Sequence, residues 1–210
     1  MKELDLENWN RKEHFNFFKQ FTDAYFAITV EVEVTKAYSY SKQHQISFFA
    51  LYLHACMKAI NSIENFKYRI KNDKVIIHDV IHASPTILRK DTTFGFSFIH
   101  YHEDFKIFNA NFVAEKERIL NSTNLFPEQN TDDCIYCSAM PWLNFSGHKE
   151  PLFGTVKESV PKLAFGKFVK KENRLLMPVS IAVNHALVDG YHVGLFVEAF
   201  QEFLNQSRPK

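Results

Sequence analysis

Residues 175–184 of the chain read "LLMPVSIAVN" and are mostly apolar up to Val183, after which the sequence turns polar. A nearly continuous apolar run of this length is typical of a strand in the middle of a sheet. His185 follows the run directly, and Asp189 and Gly190 come next as a turn signal ahead of a helical pattern. The sequence therefore predicts that His185 lies where a central strand leaves the sheet.

Helical and strand patterns interleave along the rest of the chain. Apolar residues at spacings of three and four predict helices, one of them capped by Ser47, whereas runs rich in β-branched and aromatic residues predict strands. The predicted helices are 10–21, 47–63, 104–120 and 191–203, and the predicted strands are 28–34, 74–82, 93–99, 135–140, 162–169 and 175–184, with an irregular stretch at 141–161. This order predicts an α/β fold, an α+β two-layer sandwich in which a mixed sheet carries helices on one face. No linker divides the chain, so residues 1–210 are expected to form one domain.

The composition excludes several classes of function. Lys and Arg number 25 and Asp and Glu number 24, so there is almost no net charge to attract nucleic acid or an anionic membrane. No apolar run approaches the roughly 18 to 20 residues that span a bilayer, and the segment "MKELDLENWNRKEHF" lacks the apolar part of a signal peptide. We therefore expect a cytoplasmic protein without a nucleic-acid or membrane partner.

The cysteines and clustered histidines give little support for a metal. The chain has 3 Cys, too few for a disulfide framework. Cys134 and Cys137 form a C-x-x-C motif, but residues three apart in a strand face opposite sides and cannot share a metal ion. His100 and His102 could share a strand face, although a solvated polar turn explains the same residues more simply. We expect no metal site.

Taken alone, His185 and Asp189 leave two interpretations open. A neutral imidazole can take a proton from a hydroxyl or thiol that attacks an acyl carbon. Asp189 can hold an arginine, brace the loop or cap the last helix. A histidine beside an apolar strand is, however, more often a hydrogen-bonded structural residue, and Asp-Gly pairs are common in turns. The spacing alone does not decide between catalysis and structure.

Four segments match a known family in the same order along the chain. The segment "NHALVDG" at 184–190 resembles the H-x-x-x-D-G signature of the chloramphenicol acetyltransferases, which the acyltransferase domain of 2-oxo-acid dehydrogenase complexes shares more loosely. The segments "WNRKEHF" at 9–15, "NLFPE" at 124–128 and "SAMPWLNF" at 138–145 resemble further parts of the same family. Together they span nearly the whole chain and are far more specific than H-x-x-x-D-G alone.

The resemblance implies a homotrimer that moves an acetyl group from acetyl-CoA directly to a hydroxyl of a small acceptor, in active sites at subunit interfaces. It makes His185 the general base that deprotonates the acceptor hydroxyl. Ser138 matches a serine that donates to the tetrahedral oxyanion. Arg11 and Asp189 match a buried ion pair that supports the catalytic loop. Chloramphenicol is the acceptor that the resemblance implies, and antibiotic resistance is the corresponding phenotype.

The resemblance also assigns binding residues. Those that match coenzyme-binding positions are Trp142, Ser138, Lys167 and Phe168. Those that match the largely aromatic and apolar acceptor pocket are Phe17, Phe18, Phe26, Thr86, Phe94, Phe126 and His148. In a chain with 22 Phe, any single one of these is more simply a core residue, and only their joint placement indicates a pocket.

Several departures from the family pattern fall around the substrates. Asn184 replaces the non-catalytic member of a histidine pair, and Ala164 replaces a threonine that holds a water near the oxyanion. His148 and Glu150 replace an aromatic and an aliphatic pocket residue. If these two side chains face the pocket, they predict an acceptor more polar than chloramphenicol.

Ser47 and Phe49 stand where the family has a lysine and a tyrosine that help to hold the nucleotide end of the coenzyme.

Three alternatives stay open beside acetylation of chloramphenicol. The first is acetylation of another, more polar hydroxyl compound, and the second is a non-catalytic trimeric module that binds a small aromatic ligand. The third is a hydrolase with Ser138 as nucleophile, which lacks the G-x-S-x-G turn that such enzymes use.

Overall fold

The structure is a computed structural model that describes residues 1–129, 131–151 and 158–206. Within these ranges the chain forms five α-helices and ten strands. The helices are α1 (Lys12–Phe18), α2 (Thr35–Gln43), α3 (Phe48–Ser62), α4 (Phe105–Leu120) and α5 (Gly190–Asn205). The strands are β1 (Lys2–Glu3), β2 (Tyr25–Glu33), β3 (Tyr68–Lys71), β4 (Lys74–Ile77), β5 (His82–Leu88), β6 (Phe94–Phe96), β7 (Cys134–Met140), β8 (Lys162–Gly166), β9 (Val169–Lys171) and β10 (Arg174–Asn184).

The main sheet is mixed, as the sequence predicts. Its strand order is β2-β10-β8-β7-β5-β6, and the short β9 also pairs with β10. Strand β7 runs parallel to both β5 and β8, while the other pairings are antiparallel. A second, three-stranded sheet has the order β1-β4-β3. Strand β10 is central to the main sheet, since β2 pairs along one edge of it and β8 and β9 along the other.

Helices α3 and α5 cover one face of the main sheet, here called the helical face. Along β10 the alternate residues Val179, Ile181 and Val183 are fully buried there, in the same apolar cluster as Phe196 and Phe200 of α5. Alternation along a strand sends the intervening side chains to the other face, here called the far face. Two layers around one apolar cluster confirm the predicted α/β class.

Two helix starts show how the sequence fixes the helical layer. The Ser47 hydroxyl oxygen accepts a hydrogen bond from the Ala50 N–H at 3.2 Å, so the predicted cap of α3 is confirmed. Asp104 caps α4 in the same manner, accepting from the Lys106 N–H at 2.7 Å.

None of the helices in the described ranges combines the length and the apolarity that crossing a membrane requires.

The predicted single strand at 74–82 is wrong. The chain instead forms β4 and then β5, and these two strands belong to different sheets. The break lies at residues 78–81, where the Ile81 N–H bonds to the Asn61 side-chain oxygen at 2.8 Å instead of to a neighbouring strand. Strand β5 escaped prediction beyond residue 82 because it contains Pro85, and a proline argues against a strand inside a sheet.

Two further differences concern element limits. Helix α2 was not predicted, since Thr, Tyr and Ser residues give its sequence a weak helical preference; Ala37 and Ser41, one turn apart, are nevertheless buried. The predicted strand 162–169 is divided into β8 and β9. It breaks at Lys167, whose N–H donates to the Leu143 carbonyl at 2.6 Å.

Candidate active site

His185 is held in place by its own backbone at the end of β10. Its N–H donates to the Ala24 carbonyl at 2.8 Å, which extends the pairing with β2 by one bond. Its carbonyl accepts from Nη2 of Arg11 at 3.2 Å. Because the backbone is fixed on both sides, the direction in which the imidazole leaves the chain is also fixed.

The imidazole of His185 lies between two aromatic rings. It stacks on Phe18 of α1 with ring centroids 4.0 Å apart and an interplanar angle of 8°, and Phe26 of β2 lies 4.6 Å away on a tilt. Nδ1 lies 3.2 Å from Oδ1 of Asp189 but has no hydrogen-bond partner within the described ranges. The side chain is 35% exposed, so the apolar rings orient a ring whose edge still reaches solvent.

Arg11 and Asp189 form an ion pair beneath this histidine. Both terminal guanidinium nitrogens of Arg11 donate to the Asp189 carboxylate, with Nη2 to Oδ1 at 3.0 Å. Arg11 is buried, and its burial lowers the pKa of the guanidinium. A two-pronged pair of this kind joins the start of α1 to the turn between β10 and α5.

Asp189 is also the residue from which α5 begins. Its N–H donates at 3.0 Å to Nδ1 of His192, which is the return half of a capping box. Burial lowers the pKa of His192, and the nearby Arg11 lowers it further. Both influences keep the ring neutral, which leaves Nδ1 free to accept.

Asn184 stabilises the turn that carries His185. Its side-chain oxygen accepts from the Ala186 N–H at 3.0 Å, and its side-chain nitrogen donates to the Glu158 carbonyl at 3.0 Å. Asn184 therefore supplies one hydrogen bond within the turn and one that ties the turn to Glu158.

Ser138 lies in a pocket on the far face. It belongs to β7 and pairs in register with Ala164 of β8, so both side chains point away from α3 and α5. The pocket has a volume of about 260 Å³. Its lining includes Ser138, Thr86, Leu88, Phe94, Trp142, His148 and Glu150.

Ser138 and His185 of one chain do not meet. Ala164, the in-register neighbour of Ser138, pairs in turn with Ser180 of β10, which precedes His185 by five residues. At about 3.3 Å per residue along the strand and about 4.8 Å for each of two strand spacings, the Cα atoms of Ser138 and His185 are about 19 Å apart. The serine also faces the far side of the sheet, whereas the histidine continues the helical face.

The remaining residues that the resemblance assigns to the acceptor fall into two groups. Phe18 and Phe26 contact His185 directly, and the exposed Phe17 packs on Phe18 with ring centroids 5.1 Å apart. The other group lies with Ser138, namely Thr86, Phe94 and His148 in the pocket and Phe126, which stacks at 5.3 Å on Phe96 next to Phe94.

The residues that the resemblance assigns to the coenzyme differ in their surroundings. Trp142 is exposed and lines the Ser138 pocket, and Lys167 is exposed and bonded through its backbone to Leu143 beside Trp142. Phe168 is half-buried and packs on Tyr38, with ring centroids 4.9 Å apart.

A buried cation was missed by the sequence reasoning. Lys162 of β8 is almost fully buried, and its Nζ donates to the Pro151 carbonyl at 2.7 Å and lies 2.8 Å from Oε2 of Glu158. It also lies over the ring of Tyr25. A lysine that opens an otherwise apolar strand is the only signal of this arrangement in the sequence, and it does not identify the partners.

The cysteine thiols are buried, and the clustered histidines make packing contacts and hydrogen bonds within the fold. Burial raises the pKa of Cys134 to about 12 and raises that of Cys137 well above the ordinary value, so neither is a thiolate at neutral pH. The ring of His100 packs edge-on against His82, and Nδ1 of His102 accepts from the Asp104 N–H at 2.9 Å. Across residues 1–129, 131–151 and 158–206 there is no group of three or more potential metal ligands.

Known proteins resemble this chain over nearly its full length. The family model for chloramphenicol acetyltransferase matches residues 1–201. Chloramphenicol acetyltransferase 3 of Escherichia coli is 28% identical over 204 residues, which cover 96% of each chain. A chloramphenicol acetyltransferase of Bacillus pumilus is 30% identical over 215 residues, covering 98% of this chain and 97% of the relative.

Solved structures agree with this result. A chloramphenicol acetyltransferase superposes with a TM-score of 0.86 at 31% identity, over 97% of this chain and 100% of that one. A probable dihydrolipoamide acetyltransferase from Listeria monocytogenes, at 17% identity and a TM-score of 0.65, shares the fold. The resemblance seen in the sequence motifs is confirmed: the chain belongs to the chloramphenicol acetyltransferase family and is an enzyme of the acyltransferase class.

Proposed function

We propose that the chain transfers an acetyl group from acetyl-CoA directly to a hydroxyl of a small acceptor, with His185 as general base. The observation that carries the proposal is the imidazole itself, stacked on Phe18 and flanked by the tilted ring of Phe26, with 35% of the side chain exposed. Nδ1 faces Asp189, which leaves Nε2 to take the acceptor proton. A base held this way needs little reorganisation before it acts.

The proposed reaction has two steps. The acceptor oxygen attacks the thioester carbonyl as its proton passes to Nε2 of His185, and the Ser138 hydroxyl donates to the oxygen that becomes negative. The tetrahedral intermediate then collapses, the bond from carbon to sulfur breaks, and the proton goes to the coenzyme thiolate. Trp142, Lys167 and Phe168 are the residues proposed to hold the coenzyme, and no acyl-enzyme forms.

Two copies of the chain are proposed to complete each site. Ser138 and His185 of one chain lie on opposite faces of the sheet and about 19 Å apart, whereas reacting groups must come within about 3 to 3.5 Å. A contact between the surface around His185 of one copy and the far face of the next copy brings the imidazole and the serine hydroxyl together. The exposed aromatic residues Phe17, Phe94 and Trp142 support such a contact. We propose a homotrimer, in which each of the three contacts forms one site.

Two kinds of hydroxyl acceptor are compatible with this reaction. The names of the relatives support chloramphenicol as the first candidate. A more polar hydroxyl compound is the second candidate, favoured because His148 and Glu150 both line the Ser138 pocket. The free, buried thiols of Cys56, Cys134 and Cys137 support a cytoplasmic location for the reaction.

Release of free coenzyme A tests the proposal. The protein is incubated with acetyl-CoA and either chloramphenicol or a panel of hydroxyl compounds, and the thiol is followed by its colour reaction. His185→Ala is expected to reduce the rate by about 10²- to 10⁴-fold, and His44→Ala, which removes an exposed histidine outside the site, serves as the matched control. A wild-type rate for His185→Ala would refute the mechanism.

Calorimetry separates this enzyme from a binding module. Ala164 and the substitutions at Ser47 and Phe49 motivate the alternative, in which the protein captures a ligand without turnover. Tight binding of an acceptor, with no thiol released over hours in the presence of acetyl-CoA, would establish the binding module.

A further inference from the structure

Two pockets meet on the far face of the sheet. The first is the Ser138 pocket of about 260 Å³, and the second, of about 190 Å³, is lined by Asp23, Tyr25, Phe26 and Lys162 among others. Lys149 and Glu150 line both pockets. The segment around Glu150 is therefore placed to contact whatever occupies the space above Ser138.

The two lysines in these walls have carboxylate neighbours. The ammonium of Lys162 lies 2.8 Å from the Glu158 carboxylate and also donates to the Pro151 carbonyl. The ammonium of Lys149 lies 3.8 Å from the Asp23 carboxylate. Each positive charge is thus offset by a negative charge of the protein.

Glu150 differs from these carboxylates. Within the described ranges its ionic neighbour is His148, at 4.0 Å between Nε2 and Oε1. No lysine or arginine nitrogen of the described residues lies within 4.0 Å of this carboxylate, so no permanent cation is paired with it. The Glu150 side chain is only 22% exposed, so an acceptor in the pocket meets a partly desolvated negative charge.

Aromatic rings face the same space. Phe94 and Trp142 line the pocket to which Glu150 and Ser138 contribute. A carboxylate beside aromatic faces is a combination that suits an ammonium group, because the ring faces attract cations and the carboxylate accepts charge-assisted hydrogen bonds.

We propose that the acceptor is an amino alcohol whose protonated amine binds Glu150 while its hydroxyl is acetylated above Ser138. This inference rests on the proposed acetyl transfer and specifies its acceptor. The protonated amine has no lone pair for attack, so the hydroxyl oxygen forms the new ester bond. Its proton leaves through His185 as the thioester bond breaks, and the products are an O-acetyl amino alcohol and free coenzyme A.

Matched acceptors test the charge requirement. A small amino alcohol is compared with the diol of the same carbon skeleton, in which a hydroxyl replaces the amine. Binding is measured by calorimetry without acetyl-CoA, and turnover by thiol release. The wild-type protein is expected to favour the amino alcohol by about tenfold, which corresponds to about 1.4 kcal/mol. Glu150→Gln is expected to abolish that preference, while Glu117→Gln, at an exposed position of α4, keeps it.

A charge-reversal variant distinguishes loss of the Glu150 charge from structural damage to the pocket. Glu150→Lys is expected to favour the hydroxy acid of the same skeleton over the amino alcohol, which a damaged pocket would not do. Equal affinity of the wild-type protein for diol and amino alcohol, or an unchanged preference in Glu150→Gln, overturns the inference. So does an amide product in place of an ester, identified by tandem mass spectrometry on an acceptor whose amine and hydroxyl are too far apart for the acetyl group to migrate between them.

The same experiment separates the two proposals. Glu150-dependent binding of the amino alcohol without thiol release would support the inference and refute acetyl transfer. Turnover of uncharged acceptors alone would support acetyl transfer and refute the inference.

Discussion

Mixing two inactive variants tests whether each site draws on two copies of the chain. His185→Ala removes the proposed base and is expected to cost about 10² to 10⁴ in rate. Ser138→Ala removes the proposed oxyanion donor and is expected to cost about 10² to 10³. Each variant keeps the half of the site that the other lacks, so an interface between them can hold an intact imidazole opposite an intact hydroxyl.

The recovered activity can be calculated. In a cyclic trimer that contains both variants, one of the three interfaces pairs an intact Ser138 with an intact His185. The purified mixed assembly should therefore release thiol at about one third of the wild-type rate, at least roughly 30-fold faster than either variant alone. The variants carry different affinity tags and are co-expressed, and sequential purification selects the mixed assemblies.

The control mixture combines His185→Ala with the double variant His185→Ala, Ser138→Ala, in which no interface holds an imidazole. It should stay at the rate of His185→Ala. If the first mixture is no faster than the mean of its two components, both groups act within one copy, and the assignment of Ser138 and His185 to opposite faces is wrong.

Three further measurements address the groups around the site. Arg11→Gln should lower the free energy of unfolding by about 2 to 3 kcal/mol in urea titrations, because it leaves the partly exposed Asp189 without its cation; a loss under about 0.5 kcal/mol would show that the pair is unimportant. Burial depresses the pKa of His192 in the folded state, so the unfolded chain binds more protons just below pH 6.5, and stability is lost as the pH falls through that window. His192→Gln keeps an acceptor without titrating, so its urea midpoint should change less between pH 7.5 and pH 5.5; equal changes in both proteins would contradict the assignment. Lys162→Met should raise the KM for the acceptor about tenfold and leave that for acetyl-CoA unchanged, because it frees Pro151 from the sheet; an equal rise in both constants would point to general damage.

The sequence predicts the central elements well because their signals are local. The apolar run of β10, the Ser47 cap of α3 and the turn at Asp189 each depend on a few neighbouring residues, and each is found in the structure. The elements that were missed depend on distant contacts. Strand β5 keeps Pro85 inside a sheet because β7 and β6 flank it, and α2 forms from weak helix formers because the core covers one side of it.

The residues of the candidate site show the same contrast between local signals and distant contacts. Motif resemblance was needed to relate Arg11 to Asp189, which are 178 residues apart and form a direct ion pair. The partners of Lys162 lie in a segment without regular structure in its described residues, so no periodic pattern indicates them. Sequence reasoning also cannot assign faces across several strands, which is the information that separates Ser138 from His185.

The side chain of Asn184 has a consequence for how this enzyme can change its specificity. One amide joins Glu158, the carboxylate neighbour of Lys162, to the turn that orients the imidazole of His185. A mutation that changes the Ser138 pocket by moving Pro151, to which Lys162 donates, can therefore also displace the imidazole. A mutation that changes the acceptor preference of such an enzyme would therefore also change its turnover. A variant selected for a new acceptor would need a second mutation to restore the rate.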